Sequence, residues 1–315
     1  MSFEVRDLSK SYKDLHALKD FGFSLEEGEC LALLGPNGAG KTTAVKAMVT
    51  LLKPDTGQFL WQGKDLFPNP KAIRDLMGYI SQELAMDKVL TGVEFMRFCA
   101  GLLHLPWRTH RAHALELLDR LGLSEAKDRP VGQYSGGMKR RLDLASAMLH
   151  NPKVLILDEP TTGLDIEARE QIWGLLSDYR KEGGRIVLVS HDFREVDALA
   201  NQILILQNGE TVVQGEPEPL RKALGRFIVR LQTHEFMSAD HLASLRELLD
   251  RWHSDLRWLD DPEAAIFAYR GEAGLSELQQ DIYRRLEQEA QPIQRLNVQQ
   301  PTLEDVYRFA IGGRT

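Results

Sequence analysis

Three short, unbroken apolar runs punctuate the first two-thirds of the chain: Glu29–Gly35 (ECLALLG), Lys153–Glu159 (KVLILDE) and Arg185–His191 (RIVLVSH). Runs of this length without polar alternation predict strands buried on both faces, as in a parallel sheet covered by helices. Between the first two lies a stretch with a different period. Thr91–Leu105 and His110–Leu123 carry apolar residues at steps of three and four, which predicts amphipathic helices in a helical subdomain over about residues 91–149. The stretch closes with a helix after Gln133, on which Leu142, Leu144, Ala145 and Leu149 recur at near-helical spacing.

Beyond the hairpin signal Asn208-Gly209, within Ile203–Pro217, the texture changes. Residues 1–215 are therefore expected to form one α/β domain with a mixed sheet, and residues 216–315 a smaller accessory domain. The second part predicts a strand (Phe227–Gln232), a helix (Ala239–Arg251) and a hairpin (Leu256–Leu259 with Ala264–Arg270, turning at Asp260-Asp261-Pro262). A helix (Leu275–Glu289), a strand (Ile293–Gln299) and a short last helix follow. Thr302 with Asp305 is a capping-box signal for that helix, and Gly312 suits its end. The βαββαβ order predicts a small α+β, ferredoxin-like module.

Composition narrows the class of protein. Over 315 residues, 43% are hydrophobic and 27% charged, the balance of an ordinary globular protein. A formal net charge of -7 argues against a broad nucleic-acid-binding surface, so no direct nucleic-acid partner is expected. Cys30 and Cys99 are too few for a disulfide framework, which fits a reducing, cytoplasmic setting. No signal peptide is read at the N-terminus, and no window approaches the length of a membrane span. Any role at a membrane is expected to come through a partner.

Gly35, Pro36, Asn37, Gly38, Ala39, Gly40, Lys41, Thr42 and Thr43 match the phosphate-loop pattern G-x-x-x-x-G-K-[ST], between a predicted strand and helix. Glycines let such a loop curl until its N–H groups point at phosphate oxygens; Lys41 reaches the β- and γ-phosphates, and the Thr42 hydroxyl can ligate Mg2+. Asp158 ends a predicted strand and can hold Mg2+ directly or through water, and Glu159 beside it can polarise an attacking water. The pair competes with a capping role for the next helix, for which Asp165 is the better candidate. These features predict binding and hydrolysis of a nucleoside triphosphate.

Gln133–Leu149 adds a second anion-suited turn, with Ser135, Gly136 and Gly137 opening a helix. That turn, some twenty residues ahead of the Asp158–Glu159 strand end, resembles the signature of the ABC ATPase family. The resemblance spans roughly residues 2–215. It implies that Tyr12 stacks on adenine, that Gln82 serves Mg2+ and the attacking water, that Asp165 belongs to the D-loop and that His191 is the switch histidine. Tyr134 and Met138 depart from the commonest signature, LSGGQ, while Ser135–Gly137 remain.

Tyr134–Leu142 and Gln300–Tyr307 together look like the drug-resistance-type exporter ATPases that pair with type-2 ABC permeases. This resemblance implies an ATP-hydrolysing subunit peripheral on the cytoplasmic face of the cell membrane, driving a separate permease. It also implies a sandwich dimer, in which Ser135–Gly137 cap the ATP of the opposite subunit, and a coupling contact through the helical insertion and residues 83–92. Two alternatives stay open at this level: a soluble ABC ATPase acting on nucleic acid or the ribosome, and a ligand-sensing regulatory ATPase. Two other stretches carry weaker signals. His104, His110 and His113 lack a carboxylate or cysteine to complete a metal set, and Lys139–Arg141 is expected to pair with acidic groups or phosphate nearby.

Overall fold

The computed structural model describes residues 2–13, 15–82, 86–232, 239–252, 256–261, 264–288 and 295–312. Parts of four expectations lie outside the described residues: 83–85 in the coupling segment, Pro262 in the C-terminal turn, Glu289 at a helix end and 293–294 at a strand start. By its internal contacts the chain divides into two units, Met1–Gln214 and Gly215–Thr315.

The strands of the first unit are β1 (Phe3–Tyr12), β2 (Leu15–Leu25), β3 (Cys30–Leu34), β4 (Thr56–Trp61), β5 (Lys64–Asp65), β6 (Met77–Ile80), β7 (Val154–Asp158), β8 (Arg185–Val189), β9 (Gln202–Gln207) and β10 (Glu210–Gly215). Its helices are α1 (Lys41–Met48), α2 (Pro70–Leu76), α3 (Gly92–Leu102), α4 (Trp107–Arg120), α5 (Gly136–Met148), α6 (Ile166–Lys181) and α7 (Phe193–Leu199). One sheet runs β10-β9-β3-β8-β7-β6, with parallel pairing from β9 through to β6.

The predicted apolar runs are its central strands, and their uninterrupted hydrophobicity has a direct cause. Leu155, Leu157, Ile186 and Leu188 enter a core shared with α3, α4, α5 and α6. The alternate residues Val154, Ile156, Val187 and Val189 enter a second core with α1 and the N-terminal strands. Both faces are therefore buried, at about 1.5–3 kcal/mol for each such side chain.

A second sheet, β2-β1-β4-β5, is antiparallel and was not predicted from the sequence pattern. Its register slips between Val5 and Leu8, between Leu8 and Lys10, and between Lys10 and Ser11. Asp7 and Asp20 adopt φ of 51° and 48° beside these slips. Bulges of this kind destroy the alternation by which a half-buried strand is read.

The second unit contains α8 (Pro217–Leu224), β11 (Phe227–Gln232), α9 (Ala239–Trp252), β12 (Leu256–Leu259), β13 (Ala265–Tyr269), α10 (Leu275–Gln288), β14 (Arg295–Gln299) and α11 (Leu303–Gly312). Its sheet, ordered β12-β13-β11-β14 with antiparallel pairing throughout, is the expected ferredoxin-like arrangement. Phe227, Val229, Leu231, Phe267 and Val298 form one face, packed on Leu245, Leu249, Leu278, Ile282 and Leu286 of the helices. The capping box at α11 is complete: the Thr302 N–H and hydroxyl donate to Asp305 Oδ2 at 2.9 and 2.7 Å, and the Asp305 N–H donates back at 3.2 Å. Asp305 is fully buried and also receives Arg230 from β11, which ties the helix to the sheet.

Candidate functional site

The phosphate-loop residues connect β3 to α1, and backbone crowding explains the glycines. A side chain at Gly35 would collide with the Leu206 carbonyl of β9, and one at Gly40 with the Ala17 carbonyl of β2. Gly40, with φ of 108°, is also the residue before α1, so the turn and the helix start are one feature. The Gly209 N–H donates to the Ala39 carbonyl at 2.9 Å, and the Lys19 N–H to the Gly209 carbonyl at 2.9 Å. The loop is thereby clamped between the β9–β10 turn and the β1–β2 hairpin. At the tip of that hairpin stands Tyr12, paired with Leu15. Tyr12 is 47% exposed, with the Lys10 ammonium 5.6 Å from the centre of its ring.

The Lys41 ammonium points back over the loop, donating to the Gly35 carbonyl at 2.6 Å and the Pro36 carbonyl at 3.0 Å. Half-burial pushes it below the usual lysine range, and the charges of Glu159 and Asp158 oppose that shift. Asp158 has the reciprocal problem. Burial, and then the adjacent Glu159 carboxylate, raise its pKa, while Arg140 and Lys41 act to lower it. The site thus holds two neighbouring carboxylates at the foot of a cation-lined loop, a setting that favours a further positive charge.

Glu159 sits in a left-handed backbone conformation, φ 54°, and its N–H donates to the Val189 carbonyl of β8 at 2.9 Å. That crossing brings it to His191, just beyond β8: His191 Nδ1 lies 2.6 Å from Glu159 Oε2. The Thr162 hydroxyl donates to the same oxygen at 2.9 Å. The Glu159 side chain is 14% exposed and that of His191 74%, so the histidine lies outermost. Lys41, Asp158, Glu159 and His191 are therefore gathered by the carboxyl ends of adjacent parallel strands, where an open α/β sheet places its ligands. Gln82 is exposed directly after β6, next to β7 in the sheet.

Ser135 and Asp165 occupy helix starts. The Ser135 Oγ accepts from the Met138 N–H at 3.2 Å at the head of α5, and Asp165 Oδ1 accepts from the Ala168 N–H at 2.8 Å at the head of α6. The signature turn opens outward: Ser135 and Gly136 are exposed, and nothing lies within 4 Å of the side-chain position at Gly136. At Gly137 the nearest atoms come from Leu164, Ala168 and Ser135, not from the phosphate loop. Tyr134, the first departure from the common signature, is buried, and its hydroxyl donates to the Ala126 carbonyl at 2.7 Å. The substitution thus serves packing beneath the turn and leaves the outward face unchanged.

For Lys139–Arg141 the expected acidic partner is present in part, since Arg140 Nη1 meets Asp143 Oδ2 at 3.5 Å. Arg140 is 4% exposed, and most of its partners are main-chain carbonyls rather than acids. Arg141 binds the Leu121 carbonyl at 2.9 Å and the Gln171 side chain. The reason is that Arg140 lies on the side of α5 that faces the β7 exit loop, while Ser135 and Gly136 face outward. Sequence reading also passed over Glu195, a buried carboxylate of α7 that accepts from the Thr161 hydroxyl at 2.8 Å and Trp173 Nε1 at 3.2 Å. Its only sequence signal is an acidic residue in the first turn of a helix. Of the histidines set aside earlier, His110 Nδ1 lies 3.1 Å from the Pro106 carbonyl, and His113 Nε2 3.5 Å from the Met148 carbonyl.

Comparison with known proteins gives concordant results. A family model described as ABC transporter matches residues 18–162. The daunorubicin resistance ATP-binding protein DrrA2 of Streptomyces coeruleorubidus is 34% identical over 310 residues, covering 98% of this chain and 94% of that protein. The Nod factor export ATP-binding protein I of Burkholderia thailandensis is 33% identical over 291 residues, covering 90% and 96% respectively. Among solved structures, the dimeric structure of MJ0796, a bacterial ABC transporter cassette, matches with a TM-score of 0.61 and 26% identity, covering 68% of this chain and 98% of that one.

Proposed function

Because this chain belongs to the family of ABC transporter ATP-binding proteins and is an ATPase of the drug-export type, we propose that it works as a nucleotide-sandwich dimer driving a separate membrane permease. The observation that carries this reading is the pair of anion-suited turns on one chain. Gly35–Thr43 curls around its own lysine, whereas Ser135–Gly137 opens outward to where a second chain can stand. The dimeric state of the related cassette supports the same arrangement. No helix among the described residues is long and apolar enough to cross a membrane, so the transport path is assigned to the permease.

In this reading Tyr12 stacks on adenine and the loop N–H groups hold the phosphates. Lys41 exchanges its two carbonyl partners for the β- and γ-phosphate oxygens. The donors available for Mg2+ are hard oxygens, the Thr42 hydroxyl and the Asp158 carboxylate, with Gln82 at the next strand end. No group of three or more His, Cys, Asp or Glu side chains suited to a metal gathers among the described residues. That sparse set suits Mg2+, which keeps its waters and leans on substrate phosphates. Bound there, the ion would neutralise charge on the β- and γ-phosphates. Glu159 accepts the proton of the attacking water, and His191 orients it from outside while facing the γ-phosphate. In the same reading Asp165, exposed at the head of α6, belongs to the dimer contact.

Ser135→Arg tests the sandwich. It puts a long cation where the cap must approach the opposite phosphate, yet leaves the chain's own phosphate loop untouched. ATP binding by the monomer is expected within about twofold of the parent, with hydrolysis lost at least about tenfold for want of closure. Parental turnover, measured as phosphate release at saturating Mg-ATP, would remove the signature turn from this role.

A further inference from the structure

A guanidinium inside a protein is ordinarily held by carboxylates, since a buried charge needs a compensating one. Arg140 has one such partner, the Asp143 carboxylate, and is otherwise surrounded by main-chain carbonyls. Its Nη2 donates to the Asp158 carbonyl at 2.7 Å and the Glu159 carbonyl at 2.8 Å, and its Nε to the Pro160 carbonyl at 3.0 Å. Nη1 reaches the Ser81 carbonyl at 2.5 Å. The nearest acid, Asp143 Oδ2, stands 3.5 Å away, one helical turn on. Neutral acceptors return less than a carboxylate does for a desolvated cation. What this arrangement gives in exchange is geometry, because the planar fork fixes several directions at once.

The fixed peptides are those that carry the proposed chemistry. Asp158, Glu159 and Pro160 are consecutive, and Ser81 immediately precedes Gln82. On its other side the Glu159 peptide is held by the Val189 carbonyl of β8, at 2.9 Å from the Glu159 N–H. Glu159 is a non-glycine residue at φ 54°, a conformation that persists only where the surroundings impose it. Arg140 supplies that constraint from the α5 side. It lies five residues after Ser135, within the first turns of the helix that Ser135 caps.

We infer that Arg140 is a positioning residue, tying the Glu159 turn and the peptide before Gln82 to the helix that presents Ser135–Gly137. The inference rests on the sandwich reading for one part only, that what α5 senses is ATP on the opposite subunit. Given that part, closure of Ser135–Gly137 over the opposite ATP is transmitted through Arg140 to the same chain's own glutamate and glutamine. The two sites of a dimer would then be coupled by a rigid helix start rather than by a loop.

The test compares Arg140→Met, which keeps the apolar stem, with Arg140→Lys, which keeps the charge but loses the fork. The Met variant is expected to lose about 10²-fold in kcat with KM for ATP within about threefold, because the phosphate loop is not touched. The Lys variant is expected to recover about a tenth of parental kcat at the same KM. Two results overturn the inference: a Met variant within threefold of parental kcat, or loss of nucleotide affinity in step with kcat, the mark of a merely structural role. If the Met variant does not fold, the Lys variant decides by the same two criteria. ATP-driven dimerisation of Glu159→Gln protein, measured separately, tells failure of the sandwich reading from failure of this one.

Discussion

Glu159→Gln is expected to bind ATP as the parent does and to lose about 10²- to 10⁴-fold in hydrolysis, the contribution of one positioned general base. The substitution is nearly isosteric. Glu159 meets His191 Nδ1 at 2.6 Å and the Thr162 hydroxyl at 2.9 Å through one oxygen, and an amide oxygen can keep both partners. Its backbone is held independently by the Val189 carbonyl and by Arg140, so the turn survives the change. What disappears is the capacity to take a proton. Steady-state phosphate release beside an equilibrium ATP titration separates the two effects. Turnover within threefold of the parent would take Glu159 out of the base role.

Lys41→Ala is expected to act on the other quantity, weakening ATP binding by about 10- to 100-fold, the scale of losing charge-assisted hydrogen bonds to phosphate. The ammonium is half-buried beside two carboxylates, and its resting partners are two loop carbonyls. Exchange of those neutral acceptors for phosphate oxygens is the gain that the alanine variant forgoes. The same deletion leaves Asp158 and Glu159 without their nearest loop cation, which adds repulsion toward the incoming phosphates. Titration with a fluorescent ATP analogue measures the loss directly, and undiminished affinity would contradict the assignment of the loop.

Most of the architecture was legible where chemistry and burial impose a pattern on consecutive residues. The central strands read as apolar runs because both of their faces are buried, and Asn208-Gly209 marked a hairpin because both residues take positive φ, 51° and 81°. The phosphate loop was legible because only glycine fits against the Leu206 and Ala17 carbonyls. Where a feature arises from residues distant in sequence, the pattern is silent. Strands β1 and β2 escaped notice because their register slips scramble the alternation.

The Glu159–His191 contact joins two strand ends thirty-odd residues apart. Motif order assigned both residues to the γ-phosphate but did not reveal that they touch each other. Arg140 was legible only in part: an acidic partner was expected and Asp143 supplies it, but the burial of the guanidinium was not foreseen. In a run of Lys139, Arg140 and Arg141 nothing distinguishes the one side chain that points inward, and its acceptors are peptide carbonyls that leave no trace in residue type.

The central claim is that Ser135–Gly137 complete a site on a second copy, and it is tested most directly by the mass of Glu159→Gln protein in solution. This variant is expected to hold ATP without hydrolysing it, so a sandwich once closed should persist. Light scattering is expected to give the mass of one chain without nucleotide and twice that mass with saturating Mg-ATP. Adding Ser135→Arg to the same protein should return it to one chain while ATP remains bound. A protein that stays a monomer with Mg-ATP bound, or a Ser135→Arg double variant that still doubles its mass, would contradict the account.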